Sequence, residues 1–139
     1  MLLVRHARAG HRETWDGDDR LRPLDKKGQR QALGLVDVLR PYGIERLVSS
    51  PLTRCVQTLE PLAGALGLAI EERPELAEGS TRADVLSLCA SLDGATAAFS
   101  THGDVVEEVI GRPLKKGALV ELTVEGDSLR EGREIPPPA

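Results

Sequence analysis

The chain has 139 residues, a formal net charge of -4, and Trp15, Tyr42 and Phe99 as its only aromatic side chains. That length suits one domain whose core is built from Leu, Val, Ile and Ala, and an acidic chain without stacking platforms is a poor binder of nucleic-acid polymers. No apolar run approaches membrane-spanning length and nothing reads as a secretory leader, so no membrane partner and a cytoplasmic location are expected.

Leu2-Leu3-Val4 runs directly into Arg5-His6, and small residues follow. A short apolar run closed by polar and glycine residues predicts a buried strand. Arg5 and His6 then stand at its carboxyl end, where open α/β sheets take their ligands. Met1 falls at the very start of this strand, which leaves open whether a few residues precede it. A long polar stretch follows from Ala9 to Lys27, and its acidic knot Asp16-Gly17-Asp18-Asp19 reads as a solvated, mobile loop gating a pocket.

Pro23-Leu24-Asp25 supplies a break and an N-cap. From Gly28 the apolar residues Ala32, Leu35, Val36 and Leu39 recur at helical spacing, up to a stop near Pro41-Tyr42-Gly43. Arg46 to Ser50 predicts a second strand, and Ser50-Pro51 a cap with proline at the first helical position. Leu52, Cys55, Val56, Leu59, Leu62, Ala63 and Leu66 trace the stripe of the next helix, which Pro61 should kink or shorten. Gly67 ends it, and Leu68 to Glu71 predicts a short third strand.

Pro74 to Thr81 reads as loop, and Ala83 to Leu92 as a helix with Val85, Leu86, Leu88 and Cys89 turned inward. Ala97 to Thr101 is a fourth strand running straight into His102-Gly103, and Val105 to Ile110 a short helix. Ala118 to Val124 is a fifth strand, and Gly126-Asp127-Ser128 turns into a weaker one. Residues 1–134 then form a single domain with a Pro-rich tail over 135–139. The alternation predicts an α/β layered fold with a mostly parallel sheet and an antiparallel edge. Cys55 and Cys89 are expected as buried, reduced thiols.

Charge is unevenly spread: Arg5, Arg8, Arg12, Arg20, Arg22, Lys26, Lys27 and Arg30 crowd the first thirty residues. A local basic cluster on an acidic chain fits a small anion, although a solvated basic face has the same composition. Arg5-His6, Ser49 to Arg54, and His102-Gly103 each follow a strand, and parallel strands bring such ends to one edge. Singly, a histidine there is a satisfied structural residue and an arginine is solvated. Together, two histidines and two arginines suit phosphoryl transfer through a covalent intermediate. A neutral imidazole is a competent nucleophile, and guanidinium forks match phosphate oxygens. A second histidine, kept protonated by the anion, adds a donor, and Glu75 and Glu78 are candidates to protonate the leaving group.

Leu3-Val4-Arg5-His6-Ala7 resembles the opening signature of the histidine phosphatase superfamily, whose Arg-His pair is usually followed by glycine. Ala7 stands there as in its small SixA-like branch. Leu24-Asp25, Gly28 and Gln31-Ala32 are similar to the family's first helix start, and Ser49-Ser50-Pro51-Leu52-Thr53-Arg54-Cys55-Val56-Gln57-Thr58 to its second-strand element. Leu76-Ala77-Glu78 resembles its Leu-x-Glu element, and Thr101-His102-Gly103 its second-histidine motif. The resemblance spans residues 2 to about 124. It implies a three-layer α-β-α sandwich of phosphoglycerate mutase-like architecture and a phosphatase that needs no metal or other cofactor. It further implies His6 as phosphorylated nucleophile, Arg5, Arg54, His102 and Gly103 as phosphate pocket, and Glu78 as acid. SixA-like relatives act on phosphohistidine proteins. Arg8 through Trp15, Gly17-Asp18-Asp19 and Arg22 to Lys26 also resemble the phosphatase domain joined to Nudix hydrolases in actinobacterial MutT-type proteins. That likeness implies a nucleoside di- or polyphosphate substrate, with Arg8, Arg12, Arg20 and Arg22 as contacts to a diphosphate or a protein surface. The partner is thus a phosphorylated small molecule or a phosphohistidine protein.

Two other classes compete. One is a non-catalytic module that binds a phosphorylated ligand. The other is a metal hydrolase using His6, His11 and His102 with Asp16, Asp18 and Asp19, against which the adjacent arginines would repel a cation.

Overall fold

The computed structural model describes all residues, 1–139. In chain order the elements are β1 (Leu2–Arg5), α1 (Lys26–Leu39), β2 (Arg46–Ser49), α2 (Thr53–Leu66) and β3 (Ile70–Glu72). They continue with α3 (Arg82–Ala90), β4 (Ala97–Thr101), α4 (Gly103–Ile110), β5 (Leu119–Glu125) and β6 (Ser128–Ile135). Single 3₁₀ turns occupy Arg12–Thr14, Asp19–Leu21, Arg40–Tyr42 and Pro74–Leu76. One six-stranded sheet runs in the order β3-β2-β4-β1-β5-β6. The first four of these strands are mutually parallel, and β5 pairs antiparallel with both β1 and β6. The expected antiparallel edge is therefore the β5–β6 hairpin.

Alternation along each strand splits the core in two, as the two-residue period of a sheet requires. Leu3, Val48, Phe99, Ala97 and Val120 face one way and pack under α3 and α4 with Val85, Leu88 and Val106. Leu2, Val4, Leu47, Ala98 and Leu119 face the other way and pack under α1 and α2 with Leu35, Leu39, Leu59 and Leu62. This is the three-layer α-β-α sandwich. Helices cover both faces of the central parallel strands, so β1 and β4 are buried on both faces, whereas the edge strand β3 carries Glu71 and Glu72.

Several boundaries differ from the sequence reading. Ser50-Pro51 does not open α2; the helix starts at Thr53 with Leu52 at the N-cap and no side-chain cap. The Ser50 hydroxyl accepts from the Leu52 amide at 3.3 Å and also meets His102 Nε2 at 2.8 Å. Pro61 neither ends nor splits α2, which continues to Leu66 and stops at the left-handed Gly67. The helix after the third strand begins at Arg82, fixed by a reciprocal cap between Thr81 and Asp84. Of its four expected inward residues, Val85, Leu88 and Cys89 are buried and Leu86 is half-buried. The last strand runs through Ile135, one residue into the expected tail. Cys55 and Cys89 are both free and buried.

Candidate active site

The order β2-β4-β1 sets the carboxyl ends of three parallel strands side by side. Register then does the positioning: the His6 amide donates to Thr101 O at 2.9 Å, and the Ser50 amide to Ser100 O at 2.9 Å. The imidazoles of His6 and His102 consequently meet edge to face, with ring centroids 5.6 Å apart. Both are buried on the wall of a cleft of about 620 Å³.

Each ring has a defined orientation. His6 Nδ1 lies 2.8 Å from the Ala7 carbonyl, which can only accept, so Nδ1 carries the proton and the Nε2 lone pair is free. Burial pushes the His6 pKa down to about 3, and the neighbouring His102, Arg54 and Arg5 charges act in the same direction. A neutral imidazole with an unshared pair is the nucleophilic form. His102 Nε2 lies 2.8 Å from the Ser50 hydroxyl. Burial pushes the His102 pKa down to about 4, with Glu78 opposing. In these surroundings His102 is neutral near pH 7, and the protonated form expected from sequence needs an anion against it to pull its pKa upward.

Two arginines flank the rings. Arg54, 1% exposed in the first turn of α2, donates from Nη1 to the Asp19 carbonyl at 2.9 Å and from Nη2 to Glu78 at 2.8 Å. Arg5 donates from Nη1 to Leu114 O at 2.7 Å. The Nε of each is buried and has no partner within the fold. Buried donors are rarely left so, and a charged donor of this kind is what an oxyanion satisfies. Gly103 makes room for one fork: a Cβ there would stand 2.9 Å from the Arg5 guanidinium carbon.

The motif residues without an obvious chemical role hold the His6 loop. A Cβ on Gly28 would stand 1.8 Å from Arg8 O, so only glycine lets α1 approach the chain leaving β1. Asp25 caps the Gly28 amide at 2.8 Å and takes the Gly10 amide at 3.2 Å. Gln31 accepts from the Arg8 amide at 3.0 Å, and Thr58 accepts from the Ala7 amide at 2.9 Å while donating to Arg54 O at 2.7 Å. Thr58 thus ties the His6 loop to the Arg54 turn.

Of the residues singled out from sequence, Arg5, His6, His11, Arg12, Arg22, Arg54, Glu78, His102 and Gly103 line the cleft. Arg8 and Arg20 do not: Arg8 pairs with Asp25 at 3.2 Å, and Arg20 folds onto Asp18 at 2.7 Å in solvent. Glu75 is also off the wall, paired with Arg73 at 2.6 Å. The acidic knot is not simply solvated, because Asp19 turns inward to Arg22 at 2.9 Å, Arg54 at 3.3 Å and Arg12 at 3.4 Å. His6, His11, His102 and the knot's carboxylates do not gather into a metal-ligating group. Sequence reasoning missed Ser50 as the partner of His102, because its place before Pro51 looked like a cap. It also missed Lys116 on the cleft wall, which stands in a segment with no periodic signal.

Solved structures share this architecture. The protein histidine phosphatase SixA, solved with tungstate, superposes with a TM-score of 0.81 at 24% identity, covering 98% of this chain and 96% of that one. A phosphoserine phosphatase variant from Entamoeba histolytica, solved with phosphoserine, gives 0.75 at 13% identity, covering 96% and 94%. At such identities the likeness shows the fold, which is phosphoglycerate mutase-like. The molecule has the α/β architecture of the phosphoglycerate mutase-like proteins. More closely, the chain belongs to the histidine phosphatase superfamily (branch 1), whose model matches residues 1–85. Over 84 residues it is also 46% identical to an 8-oxo-(d)GTP phosphatase from Mycolicibacterium smegmatis. That match covers 60% of this chain and 26% of the relative, so it spans about a quarter of that protein's length. No helix here is long and apolar enough to cross a membrane.

Proposed function

We propose that this chain hydrolyses phosphoryl groups through a phosphohistidine formed on His6, without a metal ion. One observation carries the reading: a neutral His6 with Nε2 free, 5.6 Å from His102 between centroids, stands among arginines whose buried Nε groups have no other partner. In the first step Nε2 attacks phosphorus and the bond to the leaving group breaks. Arg5, Arg54 and His102 hold the three equatorial oxygens, supplying fixed donors where charge is spread in the transition state. Glu78 lies on the cleft wall, paired with Arg54 and Arg12; a substrate phosphate that enters as the monoanion displaces it from Arg54 and hands it the proton that Glu78 then passes to the departing atom. In the second step water attacks the phosphohistidine, the P–N bond breaks, inorganic phosphate leaves, and Glu78 recovers its proton from that water.

For the substrate, the SixA-like fold favours a phosphohistidine carried on a protein. A second reading, a nucleoside di- or polyphosphate, is favoured by the 46% identity to the 8-oxo-(d)GTP phosphatase. Turnover of para-nitrophenyl phosphate by the wild type and its loss in His6→Ala test the mechanism. Equal activity in the two proteins would refute it, and no turnover with intact phosphate binding would leave a binding module. Comparing kcat/KM for a phosphohistidine protein, nucleoside diphosphates and small esters then tests the substrate class.

A further inference from the structure

Beyond the phosphate pocket, we propose that the cleft holds a second anion subsite, built on Lys116 with Arg22 beside it. It takes a second negative group on the molecule whose phosphate meets His6. The assignment rests on the phosphatase reading above and narrows its substrate to phosphates bearing an adjacent anion, such as a diphosphate or a carboxylate-bearing ester.

The root of Lys116 is fixed close to the nucleophile. Its carbonyl accepts from Gln31 at 3.3 Å, and the next amide, Gly117, donates to the carbonyls of Arg5 at 3.1 Å and His6 at 3.2 Å. The same glutamine holds the Arg8 amide, so β1, α1 and the Lys116 segment form one clamp. The side chain lines the cleft yet enters no ion pair or hydrogen bond within the fold.

Apart from the Nε groups of Arg5 and Arg54 assigned to the reacting phosphate, the other cations of the cleft have partners within the fold. Arg54 and Arg12 are paired with Asp19 and Glu78, Arg22 with Asp19 and the Ala9 carbonyl, and Arg5 with the Leu114 carbonyl. Burial and the charges of Arg5, Arg22 and Arg8 press the Lys116 pKa down, with only Asp25 opposing. Lys116 is exposed at the cleft, and an unpaired ammonium that feels the charges of Arg5, Arg22 and Arg8 is a place where an anion gains and a cation loses. Asp104 and Glu107 of α4, also on the cleft wall, present the opposite sign. A second negative group is therefore steered away from α4 and toward Lys116. The cleft, about 620 Å³, has the size of a small-molecule site rather than of a single phosphate group.

The test compares inorganic phosphate, inorganic pyrophosphate and 3-phosphoglycerate by calorimetry on wild type, Lys116→Ala and Lys116→Arg. Wild type is expected to prefer pyrophosphate over phosphate by about tenfold or more, Lys116→Ala to lose most of that preference, and Lys116→Arg to keep most of it. A parallel loss for 3-phosphoglycerate would mark a general second-anion site, and a loss for pyrophosphate alone a diphosphate site. In turnover, the ratio of kcat/KM for a nucleoside diphosphate to that for para-nitrophenyl phosphate should fall in Lys116→Ala by a similar factor, mainly through KM. An unchanged preference in Lys116→Ala, an equal weakening of phosphate and pyrophosphate, or no preference in wild type would each overturn the proposal. Calorimetry needs no turnover, so these outcomes are separate from the His6→Ala result on which the phosphatase reading depends.

Discussion

Gly103→Ala separates folding from chemistry in this cleft. Gly103 opens α4 in ordinary helical conformation, so alanine carries no backbone penalty and gains up to about 1 kcal/mol of helix preference. The added methyl, however, stands 2.9 Å from Cζ and Nη2 of Arg5 and 3.0 Å from its Nε. Ordinary carbon contacts lie near 3.5 to 4.0 Å, so the guanidinium must move by roughly half an ångström or more. It cannot do so freely, because Nη1 is held by Leu114 O at 2.7 Å. Either that bond or the aim of the fork at the phosphate is given up, and a charge-assisted hydrogen bond is worth about 1.5 to 3 kcal/mol. The expected result is a loss of about 10- to 100-fold in kcat/KM for para-nitrophenyl phosphate, with unfolding free energy within about 1 kcal/mol of wild type. Parallel kinetics and urea titrations read both quantities. Wild-type kcat/KM in a folded Gly103→Ala protein would show that Arg5 is not aimed at the reacting phosphate.

Gly28→Ala should behave in the opposite way: its methyl meets a backbone oxygen at 1.8 Å, which cannot swing aside, and roughly 3 kcal/mol or more of stability should be lost in urea titration. Thr58→Val keeps the side-chain shape but leaves the Ala7 amide buried and unpaired, costing about 1 to 3 kcal/mol by the same measurement. Acid should destabilise the fold. Unfolded imidazoles take a proton below about pH 6.5, whereas His6 resists it to about 3 and His102 to about 4. Stability is then fully present above pH 6.5 and declines as pH falls toward 4, by about 1.4 kcal/mol per unit for each histidine. His6→Ala should flatten that slope, and an equal slope in the variant would contradict the buried neutral state.

Much of this architecture is legible in the sequence because local signals agree with the fold. Leu2 to Val4 and Ala97 to Phe99 are short apolar runs, and each leads into the residues that meet in the cleft. The cap at Asp25 and the stops at Gly43 and Gly67 are chemical signals and fall where expected. What is not legible depends on contacts between distant segments. Ser50 reads as a cap from its neighbours and does take the Leu52 amide, yet its hydroxyl also meets His102, 52 residues on. Arg8 and Arg20 look like Arg22 in sequence, and only the turn at Asp19–Leu21 sends Arg22 into the cleft and Arg20 into solvent. Asp19 reads as one acid of a polar loop until Arg54, a buried charge, is seen to need it. Lys116 depends on the segment just before β5 being clamped beside His6, which no local spacing announces.

The reaction path itself can be observed directly by mixing wild type with a phosphorylated substrate, quenching rapidly in base and locating phosphate by peptide mass spectrometry. A base-stable, acid-labile phosphate on the imidazole of His6, formed and lost at rates compatible with turnover and missing from His6→Ala, is the predicted result. Phosphate found on another residue, or steady turnover by His6→Ala, would contradict it.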